Sequence, residues 1–519
     1  MLVVGFVVVA SLSVNVRTIN EFVAAIANTT VTGVVISRTI AISETMTIDG
    51  MSKPLNLTCV VDCFSLTAAS VVFRNIHVRG AFPLFLDTDG TVPSSIEIES
   101  STFEGLLGGF MDVSNRAVVR LTNVTLRGAS NSSCRSVRFM LLVKDCPVVI
   151  LERLTVANNT FCETVENVIL ADGIGNLSVS DSLFTHQTIN SSLILLTDGT
   201  VATIVNSEFS HNAVREEIAN RGNGVIQLRG GRRSGVTLRN VLFQQNAAWA
   251  GSCVFTTETS GIVVSGSRFF SNTAKRDGGA IFARNITISK SSFFDNEVVD
   301  DGGAVVVGSQ GRLLVEDSDF VANRGAGGDD GRGAAIFLED GASAHLVNVS
   351  VKDNVALRNG GGILFLDVNA QLSLEDSCVC DNLFGEQKVP GVTCRSNGSS
   401  IGIEANESRF DTVGCKTEST MPCQPGGCPT RIALPPATRR TAGAVTSAVT
   451  TSSSTAEKAK DNNVPVAVGA SLGGVAALAV LAAVVYLCLA KKRRDADAEH
   501  ENEPETQKSE YASALSVLK

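Results

Sequence analysis

Two pairs of adjacent carboxylates are the residues of this chain whose type and spacing best suit chemistry. Asp300 and Asp301 form the first pair, and Asp329 and Asp330 form the second, close to Arg332. Two carboxylates that face one cleft could hydrolyse a glycosidic bond, and their hard oxygen atoms could hold Ca²⁺. Both pairs nevertheless lie in glycine-rich stretches, where Asp is an ordinary turn residue. We therefore predict no catalytic residue, no metal site and no cofactor, with calcium as the one ion that these acids could take.

The carboxylate pairs lie within a repeat built on Phe-x-x-Asn, which is followed a few residues later by Gly-Gly-Ala or a variant. Between Asn159 and Asn382, successive anchor positions are 24 to 34 residues apart. A period of this length with strand-like content indicates a solenoid. The clearest anchors are Phe209 with Asn212, Phe243 with Asn246, Phe269 with Asn272, Phe293 with Asn296, and Phe320 with Asn323.

Each repeat contains short β-branched runs bounded by Gly, Asn, Asp and Ser, which predicts strands and turns. Three short strands fit in about 24 residues, so we predict an all-β fold, a parallel β-helix. A leucine-rich repeat has a similar period but needs a leucine pattern that these units lack. In a β-helix the Phe side chains would stack inside the coils. Each Asn would hydrogen-bond its own turn and the Asn of the next coil, and paired glycines would supply positive φ or leave no room for a Cβ.

The N-terminal region has the pattern of a capping helix. Thr18 and Glu21 form a capping box, and Phe22 begins the apolar face that follows. We predict a short helix within residues 14–30 that covers the open end of coils spanning residues 31–410. A surface helix without that role is the alternative. About fourteen coils at about 4.8 Å each give a rod on the order of 65 Å long.

The two ends of the chain predict a single-pass type I membrane protein. Residues 1–13 resemble a signal peptide, and residues 464–490 are long and apolar enough to cross a bilayer. A Ser/Thr/Pro-rich stalk over 429–463 precedes this helix, and a cytoplasmic tail over 491–519 follows it. The tail begins with the basic residues typical of a membrane stop: Lys491, Lys492, Arg493 and Arg494. The formal charge of −9 argues against a nucleic-acid partner, so we expect a plasma-membrane protein with its bulk outside the cell.

Eleven Asn-x-Ser/Thr sequons precede the predicted membrane helix, which favours a secreted glycoprotein. Some sequons arise by chance in chains rich in Asn, Ser and Thr, so it is their number that carries weight. The candidate glycosylation sites are Asn28, Asn56, Asn123, Asn131, Asn158, Asn176, Asn190, Asn285, Asn348, Asn397 and Asn406.

Twelve of the thirteen cysteines also precede that helix, an even number that is compatible with disulfides in an oxidising compartment. Several of them cluster in and near residues 411–428, which we predict to be a Cys-rich C-terminal cap. A zinc site is the alternative for this cluster, but there is no repeated Cys-x-x-Cys. The candidates are Cys59, Cys63, Cys134, Cys146, Cys162, Cys253, Cys378, Cys380, Cys394, Cys415, Cys423 and Cys428.

Three surface features stand apart from the repeat. Trp249 is the one Trp of the chain, whereas carbohydrate clefts usually offer several exposed aromatic rings. His186 and His211 flank successive anchors, so their rings could stack, although coincidence is the simpler account. The basic pair Arg232-Arg233 lies in the longest interval between two anchors, which predicts a protruding loop. This loop either binds a partner or is a tolerated insertion.

The pairing of Phe-x-x-Asn with Gly-Gly-Ala-Ile resembles the polymorphic outer membrane protein repeat, known from chlamydial surface adhesins and from microbial eukaryotes. The resemblance is best over residues 209–382 and includes Gly278-Gly279-Ala280-Ile281 and Gly302-Gly303-Ala304-Val305. It implies a right-handed, pectin-lyase-like β-helix. Bacterial members end in an outer-membrane domain, whereas this chain ends in a predicted single helix, so a eukaryotic surface protein is the better match.

These observations together predict a cell-surface glycoprotein whose ectodomain binds an extracellular protein or glycan in adhesion or recognition. A polysaccharide-active enzyme is one alternative, because pectin-lyase-like folds also host such enzymes. A structural surface coat without a specific ligand is the other.

Overall fold

The computed structural model of the chain describes residues 12–412, and the chain divides into two compact units, Met1–Thr438 and Arg439–Lys519. All described residues belong to the first unit. Within 12–412, short segments lie outside the description: 28–30, 37, 43–45, 51–54, 60–63, 67–69, 81–84, 88–94, 106–109, 116–117, 129–138, 161–166, 216–222, 230–232, 326–332, 357–363, 367–369, 381, 385–386, 389–391, 397–398 and 404.

The described chain is a parallel β-helix with one short α-helix, so the predicted all-β solenoid is confirmed. Within a coil the chain forms three strands in succession, here called faces 1, 2 and 3, and then in most coils a two-residue strand, face 4. Each strand pairs in parallel with its equivalent in the next coil. Three strands per coil are predicted from the β-branched runs; the fourth is too short to leave such a pattern.

Face 1 begins each coil and follows the glycine-rich turn. Its strands are β3 Ile40–Ile42, β6 Phe64–Leu66, β9 Phe85–Asp87, β11 Met111–Ser114, β13 Phe139–Lys144, β16 Asn167–Asp172, β20 Ser192–Thr197, β24 Ile226–Arg229, β28 Val254–Phe255, the first parts of β32 Ile281–Ser289 and β35 Val305–Glu316, β38 Ile336–Leu338, β42 Leu364–Leu366 and β46 Val392–Ser396.

Face 2 follows, and its inward positions are aliphatic. Its strands are β4 Met46–Asp49, β7 Val71–Arg74, the first parts of β10 Ser95–Glu104 and β12 Val118–Arg127, β14 Val148–Glu152, β17 Asn176–Ser180, β21 Val201–Val205, β25 Gly235–Arg239, β29 Gly261–Ser265, the second parts of β32 and β35, β39 Ser343–Val347 and the first part of β43 Gln371–Cys380.

Face 3 carries the Phe anchors. Its strands are β1 Leu12–Val16, β2 Val31–Ile36, β5 Leu55–Cys59, β8 Ile76–Gly80, the second parts of β10 and β12, β15 Thr155–Ala157, β18 Leu183–Thr185, β22 Glu208–Ser210, β26 Leu242–Gln244, β30 Arg268–Phe270, β33 Ser292–Phe294, β36 Asp319–Val321, β40 Ser350–Lys352 and the second part of β43. Face 3 has fifteen described strands, one in each coil. The fourteen spacings between them, at about 4.8 Å each, make a rod of roughly 67 Å.

Face 4 follows the Asn anchors from the coil of Gln187 onward. Its strands are β19 Thr188–Ile189, β23 Ala213–Val214, β27 Ala247–Ala248, β31 Thr273–Ala274, β34 Glu297–Val298, β37 Arg324–Gly325, β41 Val355–Ala356 and β44 Leu383–Phe384.

The N-terminal end contains the predicted helix, α1 Ile19–Ala27. The Glu21 amide donates to Thr18 Oγ1, and the Glu21 carboxylate accepts from the Arg17 amide. Phe22 is fully buried, and its ring meets that of Phe64 edge-on at 5.5 Å, so the helix packs on the interior of the first coils. The solenoid starts earlier than predicted, because β1 precedes α1 and pairs with β2.

The C-terminal end of the described chain reverses strand direction. Three strands run antiparallel to the last strands of the coils: β45 Gln387–Lys388 against face 4, β47 Ser399–Ile403 against face 1, and β48 Ala405–Thr412 against β43. The interior that lies between the two ends is one continuous apolar core, to which the inward residues of faces 1, 2 and 3 contribute.

Candidate functional site

The Asn anchors form a buried amide ladder along the corner between faces 3 and 4. Each is at most 1% exposed. From Asn212 onward, one Nδ2–H of each anchor donates to Oδ1 of the next at 2.9–3.0 Å. The other Nδ2–H donates to the carbonyl of the Phe one coil back, as Asn272 does to Phe243 at 3.0 Å. The full ladder is Asn159, Gln187, Asn212, Asn246, Asn272, Asn296, Asn323, Asn354 and Asn382.

The ladder corrects one detail of the prediction. The hydrogen bonds of these amides run mainly to the adjacent coils instead of to the turn of the same residue. For example, the backbone N–H of Asn246 donates to Asn272 Oδ1 at 3.0 Å. From Asn246 to Asn354, both donors of each amide are thereby satisfied and each Oδ1 accepts two hydrogen bonds, which a buried Asn requires. The predicted Asn-to-Asn contact is confirmed.

The Phe anchors form the predicted stack inside the rod. Six consecutive rings, from Phe184 to Phe320, are fully buried, with centroids 4.5–5.0 Å apart and planes within 12° of parallel. The stack is parallel because each Phe lies directly opposite its equivalent in the strand register. The rings and the Asn amides are therefore structural groups that no ligand can reach.

A second buried ladder, of serines, lies at the corner between faces 2 and 3, and sequence reasoning missed it. Each hydroxyl donates to the carbonyl two residues earlier and accepts an amide N–H from the preceding coil, as Ser291 does with Ser289 and Ser267. Its signal was a Ser two residues before several Phe anchors. The members are Ser101, Ser182, Ser207, Ser267, Ser291, Ser318 and Ser377.

The paired glycines connect face 4 to face 1 and meet both predicted conditions. The first glycine has positive φ, +66° at Gly278 and +70° at Gly302. A Cβ on the second would lie 1.9 Å from a carbonyl oxygen of the next coil, that of Gly303 for Gly279. The turn therefore tolerates only glycine at Gly279, because two backbones touch there.

A group of carboxylates lies at these glycine turns. Asp277 and Asp301 each precede the first glycine, and the Gly278 N–H donates to the Asp301 carbonyl at 2.9 Å, so the two residues occupy equivalent positions in adjacent coils. The Asp277 side chain is 24% exposed and lies 3.5 Å from Arg276 Nε. Burial raises the pKa of Asp277 to about 7; the Asp301 and Asp300 charges add to this effect, and Arg276 opposes it.

Sequence reasoning singled out Asp300 and Asp301 and missed Asp277, although Asp277 also precedes a Gly-Gly pair. A carboxyl with a pKa near 7 can donate or accept a proton at neutral pH. Asp329, Asp330 and Arg332 lie outside the described residues. Within the described part of the chain, no cluster of three or more His, Cys, Asp or Glu residues could hold a metal ion.

The four described histidines do not converge. His186 and His211 stack on each other, as their spacing suggested, with ring centroids 4.6 Å apart and planes at 4°. Both are exposed at equivalent corner positions with positive φ. His77 lies 3.2 Å from Glu104, and His345 lies 3.9 Å from Glu375.

The described sequons divide by accessibility. The Asn side chain is half-buried at Asn348. It is exposed at five sequons, those of Asn56, Asn123, Asn158, Asn176 and Asn285. Asn190 is only 3% exposed, in the turn between β19 and β20, so a glycan there does not fit the described burial, and its glycosylation stays a prediction. Asn406 lies in β48, and Asn28, Asn131 and Asn397 lie outside the described residues.

Two candidate disulfide cysteines have described side chains. Cys146 is buried and its thiol donates to the Lys144 carbonyl at 3.3 Å. Cys253 is a buried free thiol among the described side chains, and its pairing with a cysteine outside them stays a prediction. It occupies the inward turn position that Ala280 fills in the next coil, and burial raises its pKa far above the usual value.

The remaining candidate cysteines are not described at the level of side chains. Four lie in described strands: Cys59 in β5, Cys378 and Cys380 in β43, and Cys394 in β46. Cys63, Cys134, Cys162, Cys415, Cys423 and Cys428 lie outside the described residues, so their pairing stays a prediction.

No helix in the described portion of the chain has the length and apolar character needed to span a membrane. The predicted stalk, the helix over 464–490, the basic stop Lys491–Arg494 and the tail lie outside that portion. The predicted signal peptide does too, except Leu12 and Ser13, which begin β1. Of the predicted basic loop, Arg233 is described and exposed, and Arg232 is not.

Comparison with known proteins supports the fold and nothing finer. Residues 167–348 match the family model described as the right handed beta helix region. No curated protein matches the chain. The matched residues contain all six stacked Phe rings, and the architecture is therefore that of a right-handed parallel β-helix.

Proposed function

We propose that this chain is a single-pass cell-surface glycoprotein whose β-helix binds an extracellular protein or glycan in adhesion or recognition. One observation carries the proposal: the repeated residues point inward, and the outward positions vary from coil to coil. On face 2, Thr237, Val263 and Thr287 are neighbours in register on the outside, whereas the inward residues stay aliphatic. A rigid scaffold with variable exterior positions suits recognition.

The membrane and glycan parts of the proposal rest on the sequence. They are supported by the apolar segment 464–490, the basic residues after it and the sequons before it. The resemblance to adhesin repeats supports the same surface role.

The test is a binding screen with the secreted ectodomain on cells, extracellular matrix and glycan arrays. Saturable binding to one of these is expected. If the ectodomain binds none of them, the proposal of a recognition role fails and the surface coat takes its place.

Glycosylation has its own test with a matched control. Asn285→Gln, at an exposed sequon, should lower the glycan-dependent mass of the secreted protein by one glycan. Asn190→Gln, at a buried sequon, should leave that mass unchanged. Equal mass losses for both variants would contradict the described burial of Asn190.

A second function, a polysaccharide-active enzyme, is favoured by Asp277, whose pKa near neutrality suits proton transfer beside Asp301. Incubation of the ectodomain with polyuronides tests it. Cleavage that is lost in both Asp277→Asn and Asp301→Asn would replace the recognition proposal with an enzymatic one.

A further inference from the structure

A group of cations surrounds the single Trp of the chain at the turn between faces 4 and 1. We call Arg215, Trp249, Lys275, Arg276 and Val299 the Trp249 patch. Arg215, Trp249, Lys275 and Val299 each stand two residues after the first residue of a face 4 strand. Face 4 is in continuous parallel register over these coils, so the four residues occupy one position in four successive coils.

Backbone hydrogen bonds hold this column at the spacing of the coils. The Lys275 N–H donates to the Ala248 carbonyl at 3.1 Å, and the Arg276 N–H donates to the Trp249 carbonyl at 2.8 Å. The Trp249 N–H donates to Asn223 Oδ1 at 3.2 Å. Trp249 therefore has one cation a coil before it and two a coil after it, each at a backbone separation of about 4.8 Å.

The patch faces solvent. Lys275 and Arg276 are exposed, Arg215 and Trp249 are half-buried, and Val299 is 44% exposed, among the most exposed large apolar residues described. Val299 lies one coil beyond Lys275 and two coils beyond Trp249, so an exposed apolar side chain continues the column of the Trp and the cations.

The carboxylates of the same turns lie behind the cations. Asp301 is 6% exposed and Asp277 is 24% exposed, and Asp300 is half-buried. Arg276 is 53% exposed although its Nε lies 3.5 Å from Asp277. An approaching ligand thus meets the cations before it meets the acids.

Accessible sequons lie elsewhere on the rod. Asn176 and Asn285 begin face 2 strands, Asn123 and Asn348 lie at the corner between faces 2 and 3, Asn56 lies on face 3, and Asn158 lies at the corner between faces 3 and 4, three coils before Trp249. Asn190 occupies the position of the Trp249 column in the coil before Arg215, and its burial leaves no room for a glycan. N-glycans at the accessible sites would therefore leave the Trp249 patch uncovered.

We propose that the Trp249 patch binds a sulfated glycan, with a sugar ring on the indole and sulfate groups on Arg215, Lys275 and Arg276. This inference rests on the proposed recognition function and names its ligand class. Clusters of Lys and Arg attract sulfated polysaccharides, the guanidinium fork matches tetrahedral oxyanions, and the flat indole face gives a large apolar contact. The most exposed charges of the patch, those of Lys275 and Arg276, complement a polyanion, whereas the chain as a whole has a net charge of −9.

The experiment measures binding of the full-length chain, in detergent micelles, to immobilised heparin. Desulfated heparin and polyglutamate serve as parallel surfaces, so that the effects of sulfate, sugar and charge separate. Trp249→Ala should weaken heparin binding by about tenfold or more, which corresponds to about 1.4 kcal/mol. Lys275→Ala should weaken it less and should lower the salt dependence by about one ion.

Two control variants keep the result interpretable. Trp249→Phe retains an aromatic face and should recover part of the affinity. Arg239→Ala removes an exposed cation on face 2 and should leave heparin binding unchanged. Thermal unfolding of every variant is measured as well. A loss of heparin binding without a loss of thermal stability shows that Trp249 does more than pack against its neighbours.

Three results would overturn the inference. These are equal binding to polyglutamate and heparin, equal losses in Arg239→Ala and Lys275→Ala, and wild-type affinity in Trp249→Ala. If heparin binding fails while the ectodomain still binds cells in a Trp249-dependent manner, the patch takes a protein partner, and the recognition function stands without the glycan. Absence of binding in both assays would remove the recognition function as well.

Discussion

Removing one amide from the middle of the Asn ladder should destabilise the rod far more than removing an exposed Asn. Asn272 is fully buried. Its Oδ1 accepts from Asn246 Nδ2 at 2.9 Å and from the Asn246 backbone N–H at 3.0 Å. Its Nδ2 donates to Asn296 Oδ1 and to the Phe243 carbonyl, both at 3.0 Å.

The magnitude follows from the groups that Asn272→Ala leaves behind. Two donors of Asn246 lose their acceptor inside the rod, at a residue that is 1% exposed. Each buried, unsatisfied donor costs about 1–3 kcal/mol, so the free energy of unfolding should fall by about 4 kcal/mol. The acceptors keep other partners, since Asn296 Oδ1 still receives the backbone N–H of residue 272 at 3.1 Å.

The matched control is Asn240→Gly. Asn240 is exposed, and its Nδ2 donates to Asn206 Oδ1 at 3.2 Å in an outer row of corner residues. Gly266 occupies the equivalent position in the next coil, so glycine is compatible with the positive φ there. Loss of this one exposed hydrogen bond should cost less than about 1 kcal/mol.

Urea unfolding followed by circular dichroism measures both free energies, and hydrogen exchange shows where the chain opens. Because coils contact mainly their neighbours, Asn272→Ala should expose amides of the adjacent coils first. The reasoning is refuted if Asn272→Ala costs no more than Asn240→Gly, since the buried ladder would then contribute no more than a surface contact.

Three further predictions concern other parts of the turn and core. Because burial raises the pKa of Asp277 from 3.8 to about 7, the folded chain binds more protons than the unfolded chain between about pH 4 and pH 7, and its stability should fall as pH rises through that window. Asp277→Asn should flatten this dependence in thermal unfolding and stabilise the chain at about pH 8 by up to about 4 kcal/mol; an unchanged pH profile would show that another group titrates. Phe269→Ala, in the middle of the ring stack, should lower the free energy of unfolding by about 3–5 kcal/mol, and Phe269→Leu by less than half as much. Gly279→Ala should destabilise by about 3 kcal/mol because its Cβ would lie 1.9 Å from a carbonyl oxygen, whereas Gly261→Ala, with open space around its Cβ, should be tolerated.

The anchors could be predicted from the sequence because each coil repeats the same residue for the same physical reason. Residues equivalent to Phe269 and Asn272 recur in successive coils, since a parallel stack places identical side chains in contact, and identical rings pack on each other while identical amides hydrogen-bond each other. The spacing of the anchors along the sequence therefore predicts which residues lie opposite each other in neighbouring coils.

Other features left no comparable signal. The face 4 strands have two residues each, too few for an alternating pattern, and the serine ladder uses a residue that is common in turns throughout the chain. The burial of Asn190 and Cys253 depends on how the turn into face 1 closes. The raised pKa of Asp277 depends on its burial and on the charge of Asp301 one coil away, and a sequence reports neither.

The reversal of strand direction at the C-terminal end has a consequence for how copies of the chain meet. The last strand of a parallel solenoid exposes a row of amide and carbonyl groups that could template the first strand of another copy. Such end-to-end addition would repeat without limit, because the joining surfaces would never close. β45, β47 and β48 occupy that row in the opposite direction on all four faces, and α1 packs over the interior at the other end. Both ends of the described rod are therefore covered, so copies of the chain should remain separate molecules instead of adding end to end into fibres.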